Sequence, residues 1–131
     1  MVKDIIDGVR ALFDTRQELL KGKREKCDKL GTYLEGIGQS LQRVAENART
    51  GQPLNRDLAE IATYADLLRT SVGPELQLME MDSLVDRLRV VQNIEAVDTE
   101  IAADRHTTIR LIDEAAGLFK ALGASCRIHT R

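Results

Sequence analysis

Hydrophobic residues recur at steps of three and four along most of the chain, which is the spacing that places them on one face of an α-helix. The most regular run alternates strictly between the two steps: Cys27, Leu30, Leu34, Ile37, Leu41, Val44 and Ala48. A second run repeats this spacing: Leu54, Leu58, Ile61, Ala65, Leu68 and Val72. No segment alternates apolar and polar residues as a half-buried strand does. The pattern therefore predicts an all-α protein.

Glycine and proline divide this pattern into segments. The first helix is predicted to end near Gly22 and has these apolar positions: Val2, Ile5, Ile6, Val9, Leu12, Phe13, Leu19 and Leu20. The second helix is predicted to stop where Gly51 and Pro53 interrupt the chain. The third is expected to begin near Asn55, whose side chain can cap it, and to run to the Gly73-Pro74 pair.

The last third of the chain permits two interpretations. Its seam indicates either one long or kinked helix from about Asp82 to Ala121, or two helices broken between Asp104 and Thr108, where the seam weakens. Gly123 is predicted to close this region as a helix C-cap. We therefore expect a bundle domain at 1–123 and a short tail at 124–131. Short connections favour an antiparallel four-helix bundle, alone or with an additional or kinked C-terminal helix.

Composition supports one helical core. The 131 residues are 43% hydrophobic but only 3% aromatic, so aliphatic side chains must fill the interior of a single domain. Gly31, Gly36 and Gly38 lie inside the second helix, where each costs about 1 kcal/mol relative to alanine. Gly31 and Gly38 are a heptad apart, which favours close approach of a neighbouring helix; the alternative is a helix built to reorganise.

Residues that carry chemistry are few and scattered. Cys27 and Cys126 have neither a metal-ligand spacing nor a disulfide framework, and His106 and His129 are far apart. Paired helical carboxylates such as Asp57 and Glu60 are interpreted as a solvated face. We therefore expect no catalytic residue, no cofactor and no metal, and hence a protein that is not an enzyme.

Local charge is more informative than the net charge of −2, which gives no reason to expect nucleic-acid binding. Five basic residues, interrupted by Glu25 and Asp28, lie at the junction of the first two helices: Lys21, Lys23, Arg24, Lys26 and Lys29. They are predicted to bind anionic lipid headgroups, or else to form a solvated turn paired with nearby acids. Acids dominate from Glu75 to Asp104, so oppositely charged regions can pair between protomers or simply keep the bundle soluble.

The second helix also resembles a known family. The run Lys26-Cys27-Asp28-Lys29-Leu30-Gly31, followed by Leu34, Ile37 and Leu41, is similar to the corresponding helix of HeLo-type four-helix bundles. These include the N-terminal domain of mixed-lineage kinase domain-like proteins, helical domains of plant helper immune receptors, and fungal cell-death effectors. The resemblance also takes in the helix from Asp4 to Leu20 and the polar turn before Leu54, which is roughly the first three helices.

This resemblance implies a cell-death or immune module that is held inactive, then forms a homo-oligomer and engages or permeabilises anionic membrane. The basic residues at the junction would contact lipid headgroups. The membrane-engaging apolar face would be Ile5, Ile6, Val9, Leu12 and Phe13. Because the same residues are needed in a resting core, this role requires the bundle to open.

A second interpretation is a cytosolic adaptor bundle that presents a helix face to a protein partner and has no membrane role. A protein partner or an attached regulatory domain is compatible with either interpretation. The chain opens without a signal-peptide run, and no apolar stretch approaches the roughly 18 residues of a membrane-spanning helix. We therefore expect a cytoplasmic protein that moves to the membrane on activation if the first interpretation holds.

Overall fold

The structure, a computed structural model, describes residues 1–17, 24–71 and 79–129, without the side chains of Ser71 and His129. Six α-helices occupy these ranges: α1 (Val2–Asp14), α2 (Arg24–Thr50), α3 (Asn55–Ser71), α4 (Met79–Arg89), α5 (Ile94–Ala103) and α6 (Arg105–His129). A single 3₁₀ turn, Val90–Gln92, follows α4. The described ranges contain no strand, which confirms the prediction of an all-α bundle.

Helices α6, α2, α3 and α4 form a series in which each helix is antiparallel to the next. Two contacts fix each of these directions. Between α2 and α6, Gly31 meets Gly123 and Gly38 meets Ala116. Between α2 and α3, Ser40 meets Glu60 and Arg43 meets Asp57, and between α3 and α4, Arg69 meets Asp86 and Arg89 meets Asp66. Helix α5 is short and packs on α6.

Helix α1 lies between α4 and α6 and closes the ring of helices. It is antiparallel to α4, because Asp4 meets Arg87 and Gly8 meets Leu84. It is parallel to α6, because the N-terminus of α1 meets Glu100, just before α6, and Arg10 meets Glu114 within it. The bundle therefore has two adjacent helices that point the same way, besides its antiparallel pairs.

The predicted seams form the core. All seven seam residues of α2 are buried, from Cys27 to Ala48, and so are the seam residues of α3 from Leu54 to Leu68. Helix α2 ends at Thr50 and is followed by Gly51 with a φ of 73°, as the sequence predicts. Glycine suits this left-handed backbone conformation because it has no Cβ.

One helix end differs from the predictions, and another predicted end falls outside the described residues. Helix α1 ends at Asp14, where the Thr15 hydroxyl donates to the carbonyl oxygens of Ala11 and Leu12; the expected end near Gly22 lies outside the described residues. The prediction that Gly123 caps a helix is wrong, since α6 continues to His129 and includes most of the segment expected as a tail. Gly123 is buried inside the helix because the backbone of α2 passes against it.

The last third of the chain consists of separate helices, as one of the two interpretations proposed. Asp104 interrupts the chain between α5 and α6, within the polar run that the sequence marks. A further interruption, at 90–93, was not predicted. There the Asn93 side chain accepts a hydrogen bond from the Ala96 N–H and caps the start of α5.

Candidate functional site

The basic cluster predicted from the sequence is partly described. Lys21 and Lys23 lie outside the described residues. Arg24 and Lys29 are exposed on the first turns of α2, while Lys26 is half-buried. Neither Arg24 nor Lys29 pairs with a carboxylate in the described part of the chain, although Glu25 and Asp28 are exposed between them. The described members of the cluster thus include two exposed cations whose charge no ion pair offsets.

Five helix termini gather at this end of the bundle, which we call the junction end: the C-termini of α1, α3 and α6 and the N-termini of α2 and α4. Two large apolar side chains are exposed there, Met79 at 82% and Ile128 at 66%. The antiparallel register of Gly31 with Gly123 places Ile128 beside the first turns of α2, near Lys26. Basic and exposed apolar side chains therefore share one end of the molecule.

The predicted membrane-engaging face of α1 is closed in this structure. Ile5, Ile6, Val9 and Leu12 are each at most 3% exposed, so they form part of the core. Phe13 is half-buried, and its ring lies 4.6 Å from the guanidinium carbon of Arg16. The structure therefore shows these residues in the resting role that the sequence analysis also assigned to them.

Polar contacts lie on both sides of the buried face of α1. Arg87 of α4 donates a hydrogen bond of 2.8 Å to the carbonyl oxygen of Asp4. On the other side, Arg10 pairs with Glu114 of α6, and the Met1 ammonium lies 3.4 Å from the carboxylate of Glu100. These groups are at least partly exposed, and such pairs contribute about 1 kcal/mol or less each. Apolar burial must therefore supply most of the free energy that keeps α1 in place.

Helices α2 and α6 are held quite differently. A Cβ atom added at Gly31 would lie 2.7 Å from the carbonyl oxygen of Gly123, and one added at Gly123 would lie 2.7 Å from the carbonyl oxygen of Gly31. Gly38 has equally little room against Ala116 and Lys120. The close approach predicted from Gly31 and Gly38 is confirmed. Their partners escaped prediction, although Ala116 and Gly123 repeat the same spacing of seven on α6.

The carboxylates interpreted as a solvated face prove to be partly enclosed. Asp57 is only 5% exposed, because Arg43 Nε and Asn47 Nδ2 each donate to its carboxylate across 2.9 Å. Glu60 accepts hydrogen bonds from Ser40 and from Arg43. That interpretation is wrong for Asp57, which belongs to a polar contact that joins α2 to α3. Both carboxylate oxygens of Asp57 and one of Glu60 accept hydrogen bonds across this contact.

Both cysteines are fully buried thiols, Cys27 on α2 and Cys126 on α6. Burial raises the pKa of the Cys27 thiol. Burial, with a smaller contribution from the nearby Cys27, raises the pKa of Cys126 to about 12. A nucleophilic cysteine needs the opposite shift. In the described ranges, no group of three or more His, Cys, Asp or Glu side chains is placed to hold a metal ion.

Comparison with protein-family models, with curated protein sequences and with solved structures finds no match to this chain. Within the ranges that the structure describes, every helix is too short or too polar to cross a membrane.

Proposed function

We propose that this chain is a non-enzymatic helical effector module that attaches to anionic membranes through its junction end and self-associates once α1 leaves the bundle. One observation carries the first half: the exposed cations Arg24 and Lys29 share the junction end with exposed Ile128 and Met79. The sequence has two further lysines, Lys21 and Lys23, between Asp14 and Arg24.

Peripheral membrane surfaces combine these two kinds of side chain for a physical reason. Each basic residue near an anionic leaflet contributes about 1 kcal/mol, which screening by salt reduces. Apolar side chains that enter the headgroup region add about 25 cal/mol per Å² of surface removed from water. Neither contribution is sufficient alone, so attachment depends on both sets of residues and weakens as ionic strength rises.

The second half of the proposal concerns α1. Its separation would expose its own apolar face, Ile5, Ile6, Val9 and Leu12, and the surfaces of α4 and α6 that it covers. Exposed apolar areas of this size are covered by lipid or by a second copy of the chain. Opening therefore exchanges burial within one molecule for burial against another partner, which is the change that the HeLo resemblance implies.

The test is flotation and dye release with vesicles that contain anionic lipid or only zwitterionic lipid, each at low and high salt. The double variant Arg24→Glu and Lys29→Glu should lose most binding to anionic vesicles. The matched control makes the same charge change at the opposite end of the bundle, at exposed Lys3 and Arg56, and should retain binding. Circular dichroism confirms that each variant is folded.

Equal loss of binding in both double variants would mean that binding depends only on the net charge of the protein, which contradicts the proposal. Failure of the folded protein to bind any vesicle would also contradict it and would favour the cytosolic adaptor. Salt-sensitive binding without dye release would support attachment and count against permeabilisation.

A further inference from the structure

A cleft of about 450 Å³ lies at the end of the bundle opposite the junction end, between the C-terminus of α2 and the first turns of α6. Its lining side chains are Arg49, Arg105, His106, Ile109, Arg110 and Asp113. The volume is within the range of pockets that accept small molecules. Three arginines line this one cleft, which concentrates positive charge there.

The charges in this cleft are only partly satisfied. Asp113 pairs with Arg49, so one of the three guanidinium groups has a carboxylate partner. Arg105 donates to the carbonyl oxygen of Ala48, a bond that fixes its position and leaves its positive charge in place. Arg110 is exposed and has no hydrogen bond or ion pair with the described part of the chain. Three arginines against one aspartate leave the lining with two positive charges.

The start of α6 increases this positive potential. Helix N-termini favour negative charge because their backbone N–H groups are unpaired. Helix α6 has no acidic residue in its first turn and instead begins with Arg105 and His106. Asp104 precedes it and caps the helix: its carboxylate accepts a hydrogen bond from the Thr107 N–H and offsets part of this positive charge.

We propose that this cleft binds a small phosphorylated molecule, with the phosphate between Arg105 and Arg110 and the remainder of the molecule against Ile109. A phosphate monoester carries between about −1.5 and −2 charges at neutral pH, which matches the excess charge of the lining better than a single carboxylate does. Guanidinium groups donate paired hydrogen bonds to such oxygens. Arg49, held by Asp113, borders the site.

The site shares no residue with the proposed membrane surface, because it lies at the other end of the bundle; only the choice between a soluble and a lipid phosphate rests on the proposed function. A phosphate can come from a soluble molecule or from a lipid headgroup. The position of the cleft favours the soluble source, because attachment through the junction end turns the cleft away from the membrane. The experiment has an arm for each source.

Binding of inorganic pyrophosphate is measured by calorimetry at low salt, with sulfate at matched ionic strength as the reference anion. Two-dimensional NMR should show the largest shift changes at residues 105–113. Arg110→Glu should weaken pyrophosphate binding at least about tenfold, a change of about 1.4 kcal/mol, and Arg110→Lys should retain part of the affinity. The control Arg56→Glu, a charge reversal on α3, should leave the affinity unchanged.

Equal affinity for pyrophosphate and sulfate, or equal losses in Arg110→Glu and Arg56→Glu, would overturn the proposal, since either result means general attraction of anions. The lipid arm uses vesicles that contain a phosphoinositide. The soluble source would be overturned if the protein bound these vesicles but not pyrophosphate and Arg110→Glu removed the vesicle binding. That result would assign the phosphate to a lipid.

Discussion

Helices α1 and α2 both pack against α6, yet by opposite means. Between α2 and α6 the backbones themselves touch, and Gly31 and Gly123 leave no room even for a methyl group. Between α1 and its neighbours the contact consists of large side chains such as Ile5 and Leu12, with exposed ion pairs around them. The first interface is a long helix pair with matched surfaces along its length, and the second is a helix of 13 residues inserted between two others.

This difference indicates which part of the molecule can move. A backbone contact tolerates no sliding or rotation, because any displacement causes either a clash or a gap. A short helix held by apolar side chains and exposed pairs can leave as a unit, and local opening of this kind lies at the low-stability end of a fold. We therefore expect α1 to open first and the pair of α2 and α6 to open only with the whole bundle.

The largest expected effect comes from fixing α1 in place. Cysteines introduced at Arg10 and Glu114, which pair across α1 and α6, can be joined by a short bismaleimide. This link should abolish dye release and self-association and leave vesicle binding intact. The matched control joins cysteines at Gln42 and Lys120, which bond across α2 and α6, and should change nothing. Dye release from the form with α1 linked would show that α1 does not have to leave.

Thiol labelling compares the opening of α1 with the opening of the pair of α2 and α6. The pKa of Cys126 is raised from its ordinary value of 9.0 to about 12. Its reactive thiolate is therefore much rarer in the folded protein than in the unfolded chain at neutral pH. We expect native Cys126 to react with a disulfide reagent only by global unfolding, and the introduced cysteine in Leu12→Cys to react by opening of α1.

The two routes are separated by low concentrations of urea. Urea accelerates labelling steeply when the whole bundle must unfold and weakly when only a helix opens. Equal urea dependence for Cys126 and for the cysteine at position 12 would contradict independent opening of α1. Full denaturation supplies the control, since the three thiols, at positions 12, 27 and 126, should then react at similar rates.

Removal of the Leu12 side chain should loosen α1 selectively. Leu12 is fully buried, so Leu12→Ala should lower the free energy of unfolding by about 2–5 kcal/mol through lost burial and a cavity. Hydrogen exchange should increase most at the amides of α1. Leu118→Ala, at a partly buried position of α6, is the control and should have a smaller effect. A uniform increase in exchange across α1, α2 and α6 would mean that the helices open together.

The smallest expected effects concern two glycines six residues apart on α6. A Cβ at Gly123 would meet the backbone of α2, so Gly123→Ala should lower the free energy of unfolding by about 1–3 kcal/mol. Gly117 has no atom within 4 Å of an added Cβ, so Gly117→Ala should raise it by about 0.5–1 kcal/mol through helix propensity alone. Urea unfolding measures both changes in the free energy of unfolding. If the two substitutions changed it in the same direction, contact with α2 would not decide the effect of an added methyl group.

Periodicity predicted which residues turn inward. The α2 seam from Cys27 to Ala48 is buried throughout, because steps of three and four leave no other face for apolar side chains. It did not indicate which helix each face meets. Whether Gly123 ends a helix or admits a neighbour depends on the helix opposite, and Asp57 is enclosed only because Arg43 and Asn47 reach it from α2.

The candidate surfaces, too, could be predicted only in part. Arg24 and Lys29 are exposed, as a basic cluster at a helix junction requires, and their contact with lipid stays a prediction. The exposed neighbour Ile128 escaped prediction, because α6 was expected to end before it. The cleft at Arg105 and Arg110 escaped prediction too, since its residues come from α2 and α6, which are far apart in sequence. A short-range pattern cannot report contacts that only tertiary packing creates.

The contact of Tyr64 with α2 makes the bundle easy to follow by spectroscopy. The Tyr64 ring covers Gly36, and its centroid lies 6.3 Å from that of Tyr33 on the same pair of helices. The sequence contains no tryptophan and no other tyrosine. Near-ultraviolet dichroism and intrinsic fluorescence therefore arise mainly at the seam between α2 and α3. Membrane attachment or loss of α1 that spares this seam leaves the optical signal unchanged, so the unlabelled protein itself distinguishes partial opening from collapse.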